Sequence, residues 1–108
     1  MRESVLRSLP PMISVVIPTY NRAPELETCL TALAAQTLSP DQFEVLVIDD
    51  GSSDSTSSLL ETLSSGNPMD LRYFVQPNEG PAAARNAGIE QAKGEWIAFT
   101  DDDCIPDP

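Results

Sequence analysis

The feature that most constrains this chain is a rhythm. Four short runs rich in β-branched and aromatic residues, "ISVVIP" (13–18), "FEVLVID" (43–49), "LRYFVQ" (71–76) and "EWIAFT" (95–100), alternate with three stretches of helical spacing. Short apolar runs bounded by Pro, Gly or Asn read as buried strands. In "APELETCLTALAAQT", Leu26, Cys29, Leu30 and Leu33 stand at i, i+3, i+4 and i+7, one helical face, and Pro24 suits the first turn. In "GSSDSTSSLLETLSSGNP", Thr56, Leu59, Leu60 and Leu63 form the next stripe. There the serines and Asp54 are available as N-caps, and Gly66 and Pro68 as a stop. "PNEGPAAARNAGIEQAKG" gives a third helix, with Pro81 near its start, Gly94 beyond its end, and Ala83, Ala84, Ala87 and Ala92 small enough for close approach to a sheet. The order β-α-β-α-β-α-β predicts an α/β fold, a Rossmann-like parallel sheet with right-handed crossovers. With the fourth strand beside the first, the strand order is 3-2-1-4.

Composition narrows what such a sheet can do. The chain has 108 residues, 41% of them hydrophobic, enough for one packed domain at the small end of the usual range. It divides into a flexible leader, 1–12, and one folded unit, 13–108; the leader "MRESVLRSLPPM" lacks the apolar core of a secretory signal. Six basic against seventeen acidic side chains give a net charge of −11, which repels phosphate backbones and disfavours nucleic-acid partners. Such a surface holds an anion only where a metal or local amides invert the field. The absence of histidine removes the commonest general base and zinc ligand. Cys29 and Cys104 have no CxxC spacing and read as free thiols of a reducing compartment. No apolar run reaches the roughly 18–20 residues that span a bilayer.

The polar motifs collect at one edge. "TYNR" follows strand one, "DDGSSD" strand two, "PNEGPAAARN" strand three and "DDD" strand four, so all lie at the carboxyl ends of parallel strands. Open α/β sheets bind ligands at that edge, where strand order reverses. In the order 3-2-1-4, "TYNR" and "DDD" face each other across that gap. Asp101, Asp102 and Asp103 have two readings. One is a solvated acidic loop. The other is a divalent-cation site, with Asp101 and Asp103 projecting to the same side of an extended segment. Oxygen ligands suit Mg²⁺ or Mn²⁺, which bind through one or two carboxylates and substrate phosphates. Other phosphate-handling signatures are missing: there is no Gly-rich loop with Lys-Ser/Thr and no GxGxxG after strand one. A receiver-type acidic pair would follow the first strand rather than the second. A phosphatase-type DxDx[T/V] is spoiled by Ile105, which has no hydroxyl.

Taken in order and spacing, "ISVVIPTYNR", "LVIDDGSSD" and "NEGPAAARNAGIEQAKGEWIAFTDDD" closely resemble the nucleotide-binding half of the family 2 glycosyltransferases, over about residues 13–103. The resemblance implies the front half of a GT-A fold and a hexosyltransferase-type enzyme. Such an enzyme moves a sugar from a nucleotide-diphosphate donor, a UDP-sugar, to an acceptor hydroxyl with inversion, using Mn²⁺ or Mg²⁺. It implies nucleoside contacts for Thr19 and Tyr20, with Arg22 a further candidate, and a base contact for Asp50. It also implies a DxD element at Asp101-x-Asp103, with Asp101 and Asp103 as metal ligands, Asp102 near the sugar or ribose, and Arg85 approaching the diphosphate. The acceptor, a glycan, lipid or protein, is left open. The implied location is cytoplasmic, at the membrane face in the full-length protein.

Simpler roles compete at several positions. Asp49 reads as a strand-end residue bonding nearby backbone, Asn21 as a cap or turn residue, and Cys29 and Trp96 as core. Arg85 is divided between a phosphate contact and an ion pair. Cys104 has no assigned role, a thiol being a poor Mg²⁺ ligand. In the family the acceptor site and general base follow the DxD element, so the base is expected downstream of Pro108 and no catalytic residue is assigned. The chain is therefore expected to be truncated after the DxD motif, to carry the donor and metal site only, and to be inactive alone. A non-catalytic nucleotide- and metal-binding or interaction module with the same half-fold stays open beside the enzyme. Strand four is expected at an unpaired edge that invites association.

Overall fold

The computed structural model describes residues 13–35, 42–66 and 70–103. Expectations for the leader 1–12, Pro68, Cys104 and the segment to Pro108 lie outside these. The elements run β1 (Ile13–Thr19), α1 (Ala23–Ala34), β2 (Phe43–Asp49), α2 (Thr56–Gly66), β3 (Asp70–Val75), α3 (Pro81–Gln91) and β4 (Trp96–Phe99). All three strand pairs are parallel, and the sheet order is β3-β2-β1-β4. The architecture and strand order match those expected from the sequence.

The core has two layers because alternate strand residues point to opposite faces. On one face Val15, Ile17, Val45, Val47 and Leu71 meet Leu26, Leu30, Leu33 and Leu60 of α1 and α2. On the other, Val16, Leu46 and Ile48 meet Ala84, with Ala87 and Phe74 at the margin. Covered on both faces, β2 is buried throughout, which is why it reads as a near-continuous apolar run. The α3 side is thin because the helix lies very close to β1. A Cβ added to Gly88 would stand 2.3 Å from Val16 Cγ1. Small residues in "AAARNAG" are thus a condition of packing.

Strand β4 departs from expectation. Trp96 is 67% exposed, and Ile97 and Phe99 are also exposed, so the core role expected for Trp96 is not found. The reason is topological. β4 is an edge strand paired with β1, whereas α3 lies over β1 and β2. Burial of an aromatic needs a covering layer, and among the described residues β4 has none.

A polar cluster that the strand reading did not register closes the amino end of the sheet. Glu44, fully buried on β2, accepts hydrogen bonds from Ser14 Oγ (2.6 Å), the Lys93 N–H (2.7 Å) and Arg72 Nη2 (2.7 Å). Arg72 Nη2 also donates to the Gln91 carbonyl at 2.9 Å, and the Gly94 N–H donates to Ser14 Oγ at 2.8 Å. Burial opposes ionisation of Glu44, but these donors outweigh it and hold its carboxyl below the ordinary glutamate value.

Candidate functional site

The carboxyl edge is assembled by the loops after β1 and β2. Asn21 takes a left-handed conformation, φ 53°, which asparagine tolerates and which turns the chain sharply after Tyr20. Its Oδ1 accepts from the Ser53 N–H (2.7 Å) and the Asp54 N–H (3.2 Å), and its own N–H donates to Ser52 Oγ (2.8 Å). Asp54 Oδ1 takes the Thr56 N–H and hydroxyl at the start of α2, while Oδ2 takes the Ala23 N–H at the start of α1. The Thr56 hydroxyl leads the effects that hold the Asp54 carboxyl below its ordinary value. Asp49 Oδ1 accepts the Ser52 N–H at 2.9 Å, the local backbone role expected of it. Polar residues that look redundant in "TYNR" and "DDGSSD" thus lash two loops into one rim.

Asp50 is more committed than the sequence suggested. It is buried, and its Oδ1 accepts from Gln76 Nε2 (2.8 Å) and the Glu79 N–H (2.8 Å). Its Oδ2 accepts from the Gly80 N–H (3.0 Å) and Asn78 Nδ2 (3.3 Å). Burial raises the cost of its charge, but Gln76 and the two amides prevail and hold the carboxyl below its ordinary value. Asp50 therefore fastens the 76–80 loop and the start of α3. Gln76 and Asn78 were missed; the signal was their polarity immediately after a strand at the ligand edge.

Facing this rim is the acidic segment. Asp102 is buried; Thr19 Oγ1 donates to its Oδ2 at 2.9 Å, and Arg22 Nε forms an ion pair with its Oδ1 at 3.0 Å. Arg22 Nη2 reaches Asp103 Oδ2 at 3.3 Å. Asp101 and Asp103 are exposed, and the Asp101 carbonyl lies 3.8 Å from the sulfur of buried Cys29. Burial pushes the Asp102 carboxyl above its ordinary value; Thr19 and Arg22 pull against this and the Asp103 charge adds to it. One premise needs correction. Residues 102 and 103 lie in a turn, so the two-residue alternation of an extended strand does not apply to Asp101 and Asp103. The pairing of β4 stops at Phe99, opposite Val16, although β1 itself runs on beside β2 to Thr19.

The eight residues singled out from sequence, Thr19, Tyr20, Arg22, Asp50, Arg85, Asp101, Asp102 and Asp103, line one open cavity of about 370 Å³, together with Pro18, Pro81 and Ala84. Tyr20 is 46% exposed. Arg85 makes no ion pair among the described residues, so its guanidinium is available to a ligand. No group of three or more His, Cys, Asp or Glu side chains among the described residues is arranged to hold a metal ion. The donor set still suits a hard cation. It is all oxygen, and a positive group, the Arg22 guanidinium, already stands against Asp102 and Asp103. Mg²⁺-type ions need only one or two carboxylates when water and phosphate supply the rest.

Comparison with known proteins gives a consistent picture. The family model described as "Glycosyl transferase family 2" matches residues 14–108. The chain is 41% identical over 96 residues to glycosyltransferase AglE of Haloferax volcanii, covering 89% of this chain and 32% of that protein. Among solved structures it is similar to the crystal structure of S. aureus TarS 1–349 in complex with UDP-GlcNAc. The TM-score is 0.80 and the identity 36%, over 85% of this chain and 26% of that one. It is likewise similar to the mannosyltransferase PcManGT from Pyrobaculum calidifontis in complex with GDP-Man and Mn²⁺. Here the TM-score is 0.81 and the identity 32%, over 90% and 29% of the two chains. The chain thus spans about a third or less of these relatives, and its sheet corresponds to the N-terminal part of their GT-A architecture.

Proposed function

The chain belongs to glycosyl transferase family 2, and on that premise we propose that it forms the donor side of a sugar-transfer enzyme, holding a nucleotide-diphosphate sugar, a UDP-sugar, in the carboxyl-edge cavity. The observation that carries this reading is the convergence of Tyr20, Asp50, Arg85 and the acidic turn on that one cavity. Half-exposed Tyr20 offers a face for a nucleobase. Asp50 meets an N–H of the base edge as the Asn78 amide, its longest bond at 3.3 Å, gives way. Arg85 binds the diphosphate. Asp102, held by Thr19 and Arg22, lies near the sugar or ribose and keeps the turn in shape. Asp101 and Asp103 are the residues that would hold Mg²⁺ or Mn²⁺. A divalent cation there would offset the charge that grows on the departing diphosphate.

The reaction is transfer to an acceptor hydroxyl with inversion, the acceptor's proton going to a carboxylate base. The described residues are assigned to the donor side, and none of them is assigned as the base. Calorimetric titration of UDP with and without Mn²⁺, on wild type and on Asp103→Ala, tests the reading. Mn²⁺ should tighten UDP binding in wild type, and the substitution should abolish that gain. Binding indifferent to both the metal and the substitution would overturn the site.

A further inference from the structure

Arg22 bridges two carboxylates of the acidic turn, and the donor-site reading uses only its contact with Asp102. Its Nε stands 3.0 Å from Asp102 Oδ1 and its Nη2 3.3 Å from Asp103 Oδ2, so one guanidinium bridges two adjacent carboxylates. The two contacts differ in kind. Asp102 is buried and also receives the Thr19 hydroxyl, so it keeps a donor if Arg22 leaves. Asp103 is 58% exposed at its side chain, and its one side-chain partner among the described residues is Arg22. Arg22 itself is 43% exposed, with room to swing into the cavity that both residues line.

The geometry points to Arg22 as the resident counter-cation of the acidic turn, which a divalent cation must displace from Asp103 in order to bind. This rests on the donor-site reading above and extends it to the order in which ligands are accommodated. Without metal, three adjacent carboxylates repel, and Arg22 relieves the repulsion. A cation on Asp101 and Asp103 removes the reason for Arg22 to stay and repels its charge. The freed guanidinium then has an anionic partner only when a diphosphate enters the cavity, where bidentate pairing with phosphate suits its fork. Arg22 thereby opposes metal binding when the cavity lacks nucleotide and supports it when nucleotide is present. The two ligands become positively coupled, and the coupling is reciprocal.

The test is Mn²⁺ binding to the full chain, followed by the electron paramagnetic resonance signal of free Mn²⁺ and by calorimetry, with and without UDP. Arg22→Met should bind Mn²⁺ alone roughly two- to fivefold more tightly than wild type, the size of one exposed ion pair. UDP should then raise its Mn²⁺ affinity by a smaller factor than in wild type. Arg22→Gln carries the same expectation and guards against a folding defect in the Met variant. Arg22→Lys, which keeps the charge, should stay near wild type. Equal Mn²⁺ affinity in wild type and both neutral variants, with Mn²⁺-dependent UDP binding intact, overturns the inference and leaves the donor site standing. Failure of wild type to bind UDP in the presence of Mn²⁺ overturns both.

Discussion

The two ends of the sheet are built from the same materials to opposite effect. At the amino end a carboxylate and an arginine, Glu44 and Arg72, meet with Ser14 and the Lys93 N–H; Glu44 is fully enclosed, with three donors on its oxygens. At the carboxyl end Asp102, Asp103 and Arg22 meet with Thr19, but Asp103 is more than half exposed and the Asp101 carboxylate has no donor among the described residues. In the first cluster the acceptor capacity is consumed internally; in the second it is left over. Unsatisfied acceptors facing a cavity are what a cation or a polar ligand can use, so the difference separates a cluster that holds the fold from one that can bind.

Breaking the closed cluster should have the largest effect. Glu44→Ala strands Arg72, the Lys93 N–H and the Ser14 hydroxyl around a buried gap. Unfolding by urea should show a loss of about 2–4 kcal/mol, in the range for removing one partner of a buried polar network. UDP affinity of the protein that remains folded should be unchanged. A loss under about 0.5 kcal/mol would mean that the amino-end cluster is as dispensable as an ordinary surface site.

How much of this contrast was legible beforehand depends on what each feature needs. The strands and helices were legible because burial on a sheet or helix face leaves a period in the sequence, as in "FEVLVID" and in Leu26, Cys29, Leu30 and Leu33. The order 3-2-1-4 needed the further step of placing strand four beside strand one, which the sheet bears out, and the carboxyl-edge residues followed from the motifs themselves. Glu44 was not legible as a network residue. Its partners come from β1, β3 and the segment before β4, up to 49 positions away, and only the parallel register brings them together. The same holds for Asp50, whose donors Gln76 and Asn78 sit after the next strand. Trp96 failed for a different reason: composition says that a tryptophan prefers burial, but only topology says whether a layer is present to bury it.

The open cluster should respond in function rather than in stability. Asp103→Asn removes a charge from an exposed turn and one ion pair at 3.3 Å. Its effect on urea unfolding should stay within about 0.5 kcal/mol, because such pairs contribute little in water. A stability loss comparable to that of Glu44→Ala would erase the distinction between the two ends.

In pH dependence the two clusters should differ by sign rather than by size. Folded Glu44 releases its proton more readily than the unfolded chain does. Its ionised form thus contributes stability that is present above the ordinary glutamate value, near pH 4, and is lost as pH falls through the depressed folded value. Folded Asp102 holds its proton more tightly, because burial, aided by the Asp103 charge, outweighs Thr19 and Arg22. Its contribution is fully present below the ordinary aspartate value and is lost as pH rises through the raised folded one. Urea-unfolding free energies measured from about pH 3 to 7 should therefore change slope in opposite directions. Glu44→Gln removes a term that rises with pH and flattens the acid limb, whereas Asp102→Asn removes a term that falls with pH and steepens it. Each change should be about 1 kcal/mol or less across the window. If both replacements tilt the limb the same way, the closed and open clusters do not differ in how they hold charge, and their contrast would have to rest on exposure alone.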